Sequence, residues 1–280
     1  MHLIVILLGF TGVLGKLIHT SSDVLVWYRM LFALLLIAVY LYFTIGFKIK
    51  KVDFIKIFGV GLVVAAHWLF FFESIKISNV SIAVVCMGTS SLFSTFLEPI
   101  ILKRKVILRE FILGLVVLLA IGVAMNAEST YIMGFVYGII AAFLATIFTI
   151  YNGIYISKVE AEKITFIEML AGLMMISVYF LFKQDFSISS LKISTNDVIY
   201  LIVLGGLCTS FAFVVSVEVM KKLSAYNVIM AVNLEPIYSI LLALIIFGDS
   251  ESMNLSFYVG SLIIIAAVFI DGYLKNKALK

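Results

Sequence analysis

The sequence predicts an all-α integral membrane protein with ten transmembrane helices arranged as two inverted five-helix repeats. Three observations predict this fold class: an apolar composition, ten long apolar segments and an ordered set of internal matches. Of the 280 residues, 64% are hydrophobic and 13% are charged, whereas a soluble domain is about half apolar and about a quarter charged. So few charges cannot cover a soluble surface, which excludes that class.

The ten segments come from the length rule that a bilayer-spanning helix needs about 20 largely apolar residues. The polar residues that separate the segments place them at residues 2–19, 24–46, 54–75, 80–102, 108–126, 131–156, 164–183, 197–219, 224–247 and 255–274. The first segment, 2–19, has neither the basic region nor the cleavage site of a signal peptide, so we interpret it as a helix that is retained in the protein. Cys86 and Cys208 lie inside apolar segments and outside any CxxC pair, so we predict no disulfide framework, metal site or cofactor.

Basic residues collect in the loops that would share a face with both termini. Given ten helices, this face carries fifteen of the twenty Lys and Arg residues, including Lys48, Arg104 and Lys221. Such residues near helix ends favour the cytoplasmic side. We therefore expect a multi-pass protein of the cell (inner) membrane with both termini cytoplasmic. The net charge of +4 is then an orientation signal, and no nucleic-acid partner is predicted.

Internal matches occur in the same order in both halves of the chain. WYRMLFALLLIAVYLYF at 27–43 aligns with FIEMLAGLMMISVYFLF at 166–182 with an offset of 139. Residues 61–81 and 109–123 match later segments at offsets of 143 and 146. The matches predict repeats at 1–127 and 128–280. Five helices per repeat is an odd number, so the second repeat would be inverted, with a binding site between the halves near mid-membrane.

The triplet LEP also occurs twice, at 97–99 and 234–236. Its offset of 137 disagrees with the neighbouring offsets, so we do not pair the two triplets. The second triplet precedes FGDSE at 247–251, and the chain opens with GFTGVLGK at 9–16 and an arginine, Arg29, early in the second segment.

These motifs resemble those of the EamA-type transporters of the drug/metabolite transporter (DMT) superfamily. Members often have a Gly-rich first helix ending near a lysine, an arginine early in helix 2 and a LEP-type turn before an LGE-like helix end. Here Asp249 displaces or replaces that acidic residue, and the first helix lacks the family's tryptophan. The resemblance implies a ten-helix carrier, usually an exporter of amino acids or other small metabolites, and does not name the substrate.

Intramembrane charges are the first candidates for a site, because a charge at the bilayer centre costs about 2.5–3.5 kcal/mol on insertion scales. Glu235 is the deepest acid and precedes Pro236. It could bind a cation or proton, or be a structural acid hydrogen-bonded between helices. His67 lies at a similar depth and could relay protons or be a satisfied structural histidine.

Lys16 and Arg29 lie toward the non-cytoplasmic face in this topology. Either could form an outer gate or anchor an acidic group of the substrate, because arginine pairs well with carboxylates. The alternative is a structural pair with Glu73 or contact with lipid headgroups. By the offset of 139, Arg29 corresponds to Glu168 in the second half.

Aromatic and small polar residues complete the candidate set. Trp68 and Phe211 correspond at the offset of 143 and could flank a cavity or simply pack. The hydroxyls of Ser90 and Ser210 could bind substrate or bond to carbonyls of their own helices. Asn233, like Asn152, is a deep amide.

The leading function is a secondary carrier for small polar metabolites, with protons as one candidate coupling ion. The alternatives are a membrane-embedded sensor or enzyme without transport activity. The sequence has no HExxH, GxSxG or CxxC motif, so we predict that it is not an enzyme. Its partners would be the lipid bilayer and a small-molecule substrate, and the protein would be a monomer or homodimer.

Overall fold

The computed structural model describes residues 2–183 and 187–278, and these ranges contain helices but no strand. In chain order the α-helices are α1 (His2–Leu17), α2 (Ser22–Phe43), α3 (Lys51–Ile77), α4 (Val80–Met87), α5 (Ser90–Leu102), α6 (Leu108–Ala127), α7 (Ile132–Tyr155), α8 (Ala161–Phe182), α9 (Thr195–Gly205), α10 (Ala212–Val219), α11 (Ala225–Val232), α12 (Glu235–Phe247) and α13 (Leu255–Ala278). Short 3₁₀ turns and one π-helical segment, Gly206–Phe211, lie between them. The predicted all-α fold is confirmed.

Eight helical stretches in the described ranges are long and apolar enough to cross a bilayer. They are Ser22–Phe43, Lys51–Ile77, Val80–Leu102, Leu108–Met125, Ser129–Tyr155, Ala161–Phe182, Thr195–Val219 and Ala225–Glu251. Two shorter apolar helical stretches, His2–Leu17 and Leu255–Ala267, coincide with the first and tenth predicted segments. Large apolar side chains such as Leu181 and Ile245 cover the outside of the bundle, as expected for a surface that faces lipid. The membrane class is confirmed, and the count of ten crossings stays a prediction.

Helix α3 packs mainly against α7 and α8. Around it, α2 packs against α8, α1 against α12, α4 against α7, and α6 against α13. Some of these contacts are very close: a Cβ at Gly138 in α7 would lie 2.6 Å from the Cβ of Cys86 in α4. Glycine is required there because any side chain would separate the two helices.

Two of the apolar stretches contain helix breaks near their middle. The first lies between α4 and α5, and the hydroxyls of Thr89, Ser90 and Ser91 donate to carbonyls exposed there, at 2.6–2.9 Å. The second lies between α11 and α12, where Pro236 occupies the first turn of α12. Backbone N–H groups in a first turn have no acceptor within the helix, so a proline there removes no helical hydrogen bond. Since unpaired backbone groups are tolerated at this depth only inside protein or beside a cavity, the breaks mark the polar interior.

The two breaks also bear on the repeated LEP triplet. Helices α5 and α12 begin at Ser90 and Glu235, an offset of 235 − 90 = 145. The triplets are offset by only 137, so Glu98 lies well inside α5 while Glu235 lies at the start of α12. The two acids therefore have different positions relative to the breaks.

Candidate functional site

A cavity of about 110 Å³ lies among the helices, beside both breaks. Six of the nine predicted site residues line it: Arg29, His67, Trp68, Ser90, Asn233 and Glu235. The remaining wall is mainly apolar or aromatic, with a few hydroxyl and amide groups: Leu8, Thr11, Phe71, Met87, Ala145, Phe148, Thr149, Asn152, Phe213, Ser216, Val217, Met220, Val228, Ile229 and Val232. An apolar wall with few polar groups is typical of small-molecule sites.

Arg29 is 2% exposed and is held by polar and aromatic contacts. Its Nε donates to Oγ1 of Thr209 at 2.7 Å. Its guanidinium carbon lies 3.8 Å from the ring centroid of Trp68 and 5.4 Å from that of Phe72, in cation–π contact. Its Nη1 has no hydrogen-bond partner. One donor of a positively charged group is therefore available in the cavity wall.

Glu235 supplies the carboxyl group of the cavity. It interacts electrostatically with Arg29, and the adjacent break carries Asn233, whose Nδ2 is buried without a hydrogen-bond partner. Both residues belong to the helix break, because Asn233 directly follows α11 and Glu235 is the first residue of α12. The cavity thus combines one carboxyl group with two unsatisfied donors.

His67 and Ser90 already have protein partners. The Nδ1 of His67 lies 2.8 Å from the carbonyl oxygen of Ala141, and a carbonyl can only accept, so Nδ1 carries the hydrogen. Ser90 donates to the carbonyl oxygens of Met87 and Ala142 at 2.6 and 3.4 Å. Both residues line the cavity, and their polar atoms also hold the helices in place.

Phe211 and Ser210 lie away from the cavity, which corrects their expected position. They line a separate groove beside Leu36 and Tyr40, and Phe211 is 46% exposed. The residue that faces Trp68 is Phe213, with ring centroids 5.9 Å apart. A π-helical segment ends at Phe211, and such a segment rotates the side chains around it relative to a regular α-helix.

Lys16 is also outside the cavity lining. Its Nζ lies 2.7 Å from Oε1 of Glu251 and donates to Oγ of Ser250 at 3.0 Å. The expectation that Lys16 anchors a substrate is therefore not supported by its position. It joins the end of α1 to the 3₁₀ turn before α13.

The cavity wall also includes four residues that are not among those predicted from the sequence: Thr11, Thr149, Ser216 and Phe213. A signal was available for Thr149, which lies three residues before Asn152 and so on the same face of α7. The other hydroxyls are common in membrane helices and usually bond to their own backbone, as Ser216 does to the carbonyl of Ala212 at 2.7 Å.

The cavity extends toward the face from which α1 starts. Its lining includes Asn152 near the end of α7, Met220 directly after α10 and Val228 in the first turn of α11. These helix ends lie on the face that is expected to hold both termini. The lining includes no residue from the loops of the opposite face.

Polar contacts join the helix ends at that opposite face. Besides Lys16–Glu251, Lys183 Nζ lies 2.7 Å from Oδ2 of Asp23 and joins the end of α8 to the start of α2. Asp197 at the start of α9 accepts from the backbone N–H of His19 at 3.0 Å. The helix ends at this face are therefore joined by polar contacts, whereas the cavity lining includes helix ends at the other face.

An apolar helical bundle around an internal cavity with acidic and basic side chains is an arrangement expected of a membrane transporter. The chain belongs to the EamA-like transporter family, whose model matches residues 1–126 and 132–271. The predicted resemblance is thus confirmed, and members of this family are transporters.

A solved structure described as "Crystal structure of protein" has a TM-score of 0.72 and 14% sequence identity to this chain. The similarity covers 98% of this chain and 97% of that chain, and at this identity it shows the fold alone. No curated protein matches the sequence.

Proposed function

We propose that the protein is a secondary carrier that moves small polar metabolites, with amino acids as the favoured class, by alternating access. Two five-helix halves, 1–127 and 128–280, would rock around the central cavity. Support comes from matched elements: α2 and α8 each have 22 residues, and α5 and α12 each have 13. The contact of α1 with α12 also has a counterpart in that of α7 with α5.

The observation that carries the substrate class is the presence of opposite charges in one small cavity. Nη1 of Arg29 and Nδ2 of Asn233 are donors without partners, and a substrate carboxylate could accept from both. The carboxyl of Glu235 could accept from a substrate ammonium group. Phe148 and Phe213 offer an apolar surface for the rest of the molecule. This combination suits a small zwitterion.

The direction of transport is part of the proposal. We infer that both termini are cytoplasmic in the cell membrane, because basic residues concentrate on their face. A cavity directed to that face would load substrate from the cytoplasm, in keeping with export. No observation in the described residues favours the sensor or enzyme alternatives.

The test is transport by the purified full chain in proteoliposomes, using counterflow of a radiolabelled amino-acid mixture. We expect Arg29→Ala and Glu235→Gln each to reduce the initial rate by about tenfold or more, because each removes a charge-assisted hydrogen bond to substrate, about 1.5–3 kcal/mol. A thermal-shift screen would then identify the amino acid, because a ligand that binds the folded state stabilises it by mass action.

A matched control is Glu218→Gln, which removes an exposed carboxylate paired with Lys221 at 2.7 Å, outside the cavity. This variant should transport at the wild-type rate. Membrane insertion and monodispersity should be equal in all three variants. Normal counterflow by both Arg29→Ala and Glu235→Gln would exclude the proposed site.

A further inference from the structure

Glu168 is a buried acid whose carboxyl group lies outside the proposed substrate site. It lies in the second turn of α8 and is 0% exposed. Neither of its carboxyl oxygens has a hydrogen-bond partner. An ionised carboxylate in such a place would be very costly, so the burial favours the neutral acid.

Asn152 lies between Glu168 and the cavity. Its side chain interacts with the Glu168 carboxyl, but Oδ1 and Nδ2 are both buried without a hydrogen bond of good geometry. Asn152 is also part of the cavity wall. Two adjacent polar groups with unused hydrogen-bonding capacity thus connect the cavity to the acid.

The packing of α3 closes the other side of Glu168. A Cβ at Gly61 would lie 2.6 Å from Cα and 2.7 Å from the carbonyl oxygen of Glu168. The backbones of α3 and α8 therefore touch at this point, which leaves no room for water. The cavity side, through Asn152, is the route that the structure leaves for a proton.

Several charged and titratable groups on the surrounding helices have other partners. Arg29 of α2 contacts Thr209 and Trp68, and His67 of α3 contacts Ala141. In addition, Asp23 pairs with Lys183, Lys163 with Glu160, Glu218 with Lys221, and Tyr155 stacks on Tyr151. Within the described residues, no ion pair compensates Glu168.

The position of Glu168 in its helix is also informative. Helices α2 and α8 both have 22 residues, and Arg29 and Glu168 are each the eighth residue. Arg29 lies in the cavity wall, whereas Glu168 lies behind it. If the two halves exchange conformations, as the proposed function requires, the second half would bring Glu168 toward the cavity.

We propose that Glu168 is the proton-binding residue of the transport cycle, reached from the cavity through Asn152, while Glu235 contacts substrate. In the conformation described here Glu168 holds its proton. When the packing around it opens, the O–H bond breaks and the proton passes to water in the cavity. The resulting carboxylate cannot return to the closed packing without taking up a proton, so proton movement becomes linked to the conformational change. Low pH should favour the conformation seen here.

The first experiment is infrared spectroscopy of the full chain in liposomes at neutral pH. The wild-type spectrum should contain a carbonyl band of a protonated carboxyl that is missing in Glu168→Gln. In Glu235→Gln, the matched control, the Glu168 band should remain. If the wild type and Glu168→Gln have the same carboxyl bands, the proposal is wrong, whether or not any substrate is transported.

The second experiment measures coupling in proteoliposomes loaded with a pH-sensitive dye, with an amino-acid mixture as the probe. Glu168→Gln should retain counterflow of labelled amino acids and lose the accompanying pH change. An undiminished pH change in this variant would overturn the proposal. Absence of amino-acid counterflow in the wild type would instead contradict the proposed function, and the infrared result would then decide the assignment of Glu168.

A further variant covers the case in which Glu168→Gln fails to fold. Asn152→Leu keeps the acid and removes the polar link to the cavity. After transfer to heavy water, the carboxyl band of Asn152→Leu should shift several-fold more slowly than that of the wild type. An equal rate would exclude the route through Asn152.

Discussion

Glu251 and Glu168 are both completely buried carboxyl groups, and their surroundings are opposite. Glu251 accepts from the backbone N–H groups of Val80 and Ser81, both at 3.0 Å, from the hydroxyl of Ser81 at 2.8 Å and from Lys16 at 2.7 Å. Glu168 accepts no hydrogen bond. The same residue type at the same burial thus accepts four hydrogen bonds in one place and has only the neighbouring Asn152 amide in the other.

The difference separates a structural acid from one that is free to exchange a proton. The carboxyl group of Glu251 lies against the N-terminal end of α4, where free N–H groups and the helix dipole stabilise a negative charge. Its ion pair with Lys16 joins the end of α1 to the 3₁₀ turn before α13. Glu235 is intermediate, because it has the opposite charge of Arg29 in the same cavity and space for a ligand beside it.

The largest expected effect is on stability. Glu251→Gln should lower the free energy of unfolding by about 3 kcal/mol, because it leaves Lys16 without its buried counter-charge. Glu168→Gln should change it by less than about 1 kcal/mol, because no hydrogen bond is lost. Reversible chemical denaturation in detergent micelles measures both. Equal losses for the two variants would show that Glu168 has a stabilising partner.

An intermediate effect is expected where α3 touches α8 behind Glu168. Gly61→Ala should destabilise the protein by about 1–3 kcal/mol, because its Cβ would meet the Glu168 backbone. Gly59→Ala on the same helix has no atom within 4 Å of the new Cβ, so it should be neutral or stabilising by up to about 1 kcal/mol. The same denaturation assay compares the pair. A harmless Gly61→Ala would mean that Glu168 is less tightly enclosed.

The smallest effect concerns two aromatic residues, one inside and one outside the cavity that Glu235 lines. Phe213→Ala should reduce amino-acid counterflow by about fivefold, roughly the loss of 1 kcal/mol of aromatic contact. Phe211→Ala should leave the rate unchanged, because Phe211 lies outside the cavity. The reverse order of effects would restore the pairing of Trp68 with Phe211 that the repeat offset predicts.

Much of the site could be predicted because polar groups are conspicuous in apolar segments. Arg29, Glu235 and Asn233 are costly in lipid wherever their helices pack, so they must face the interior. The same reasoning was insufficient for Phe211, since aromatic residues are equally stable in lipid or protein. The repeat offset also does not include the π-helical segment Gly206–Phe211, which changes the register of the helix between the two halves.

The sequence by itself determined that the chain is a helical membrane protein and where its apolar helices lie. The free energy of transferring a segment into lipid depends on that segment's own residues, so it can be calculated by summing residue contributions along the sequence. Only the tertiary structure decided the partners of the buried acids. Lys16 and Glu251 are 235 residues apart, and the isolation of Glu168 depends on α3 lying against α8. Such contacts follow from side-chain packing between distant helices, which no local pattern contains.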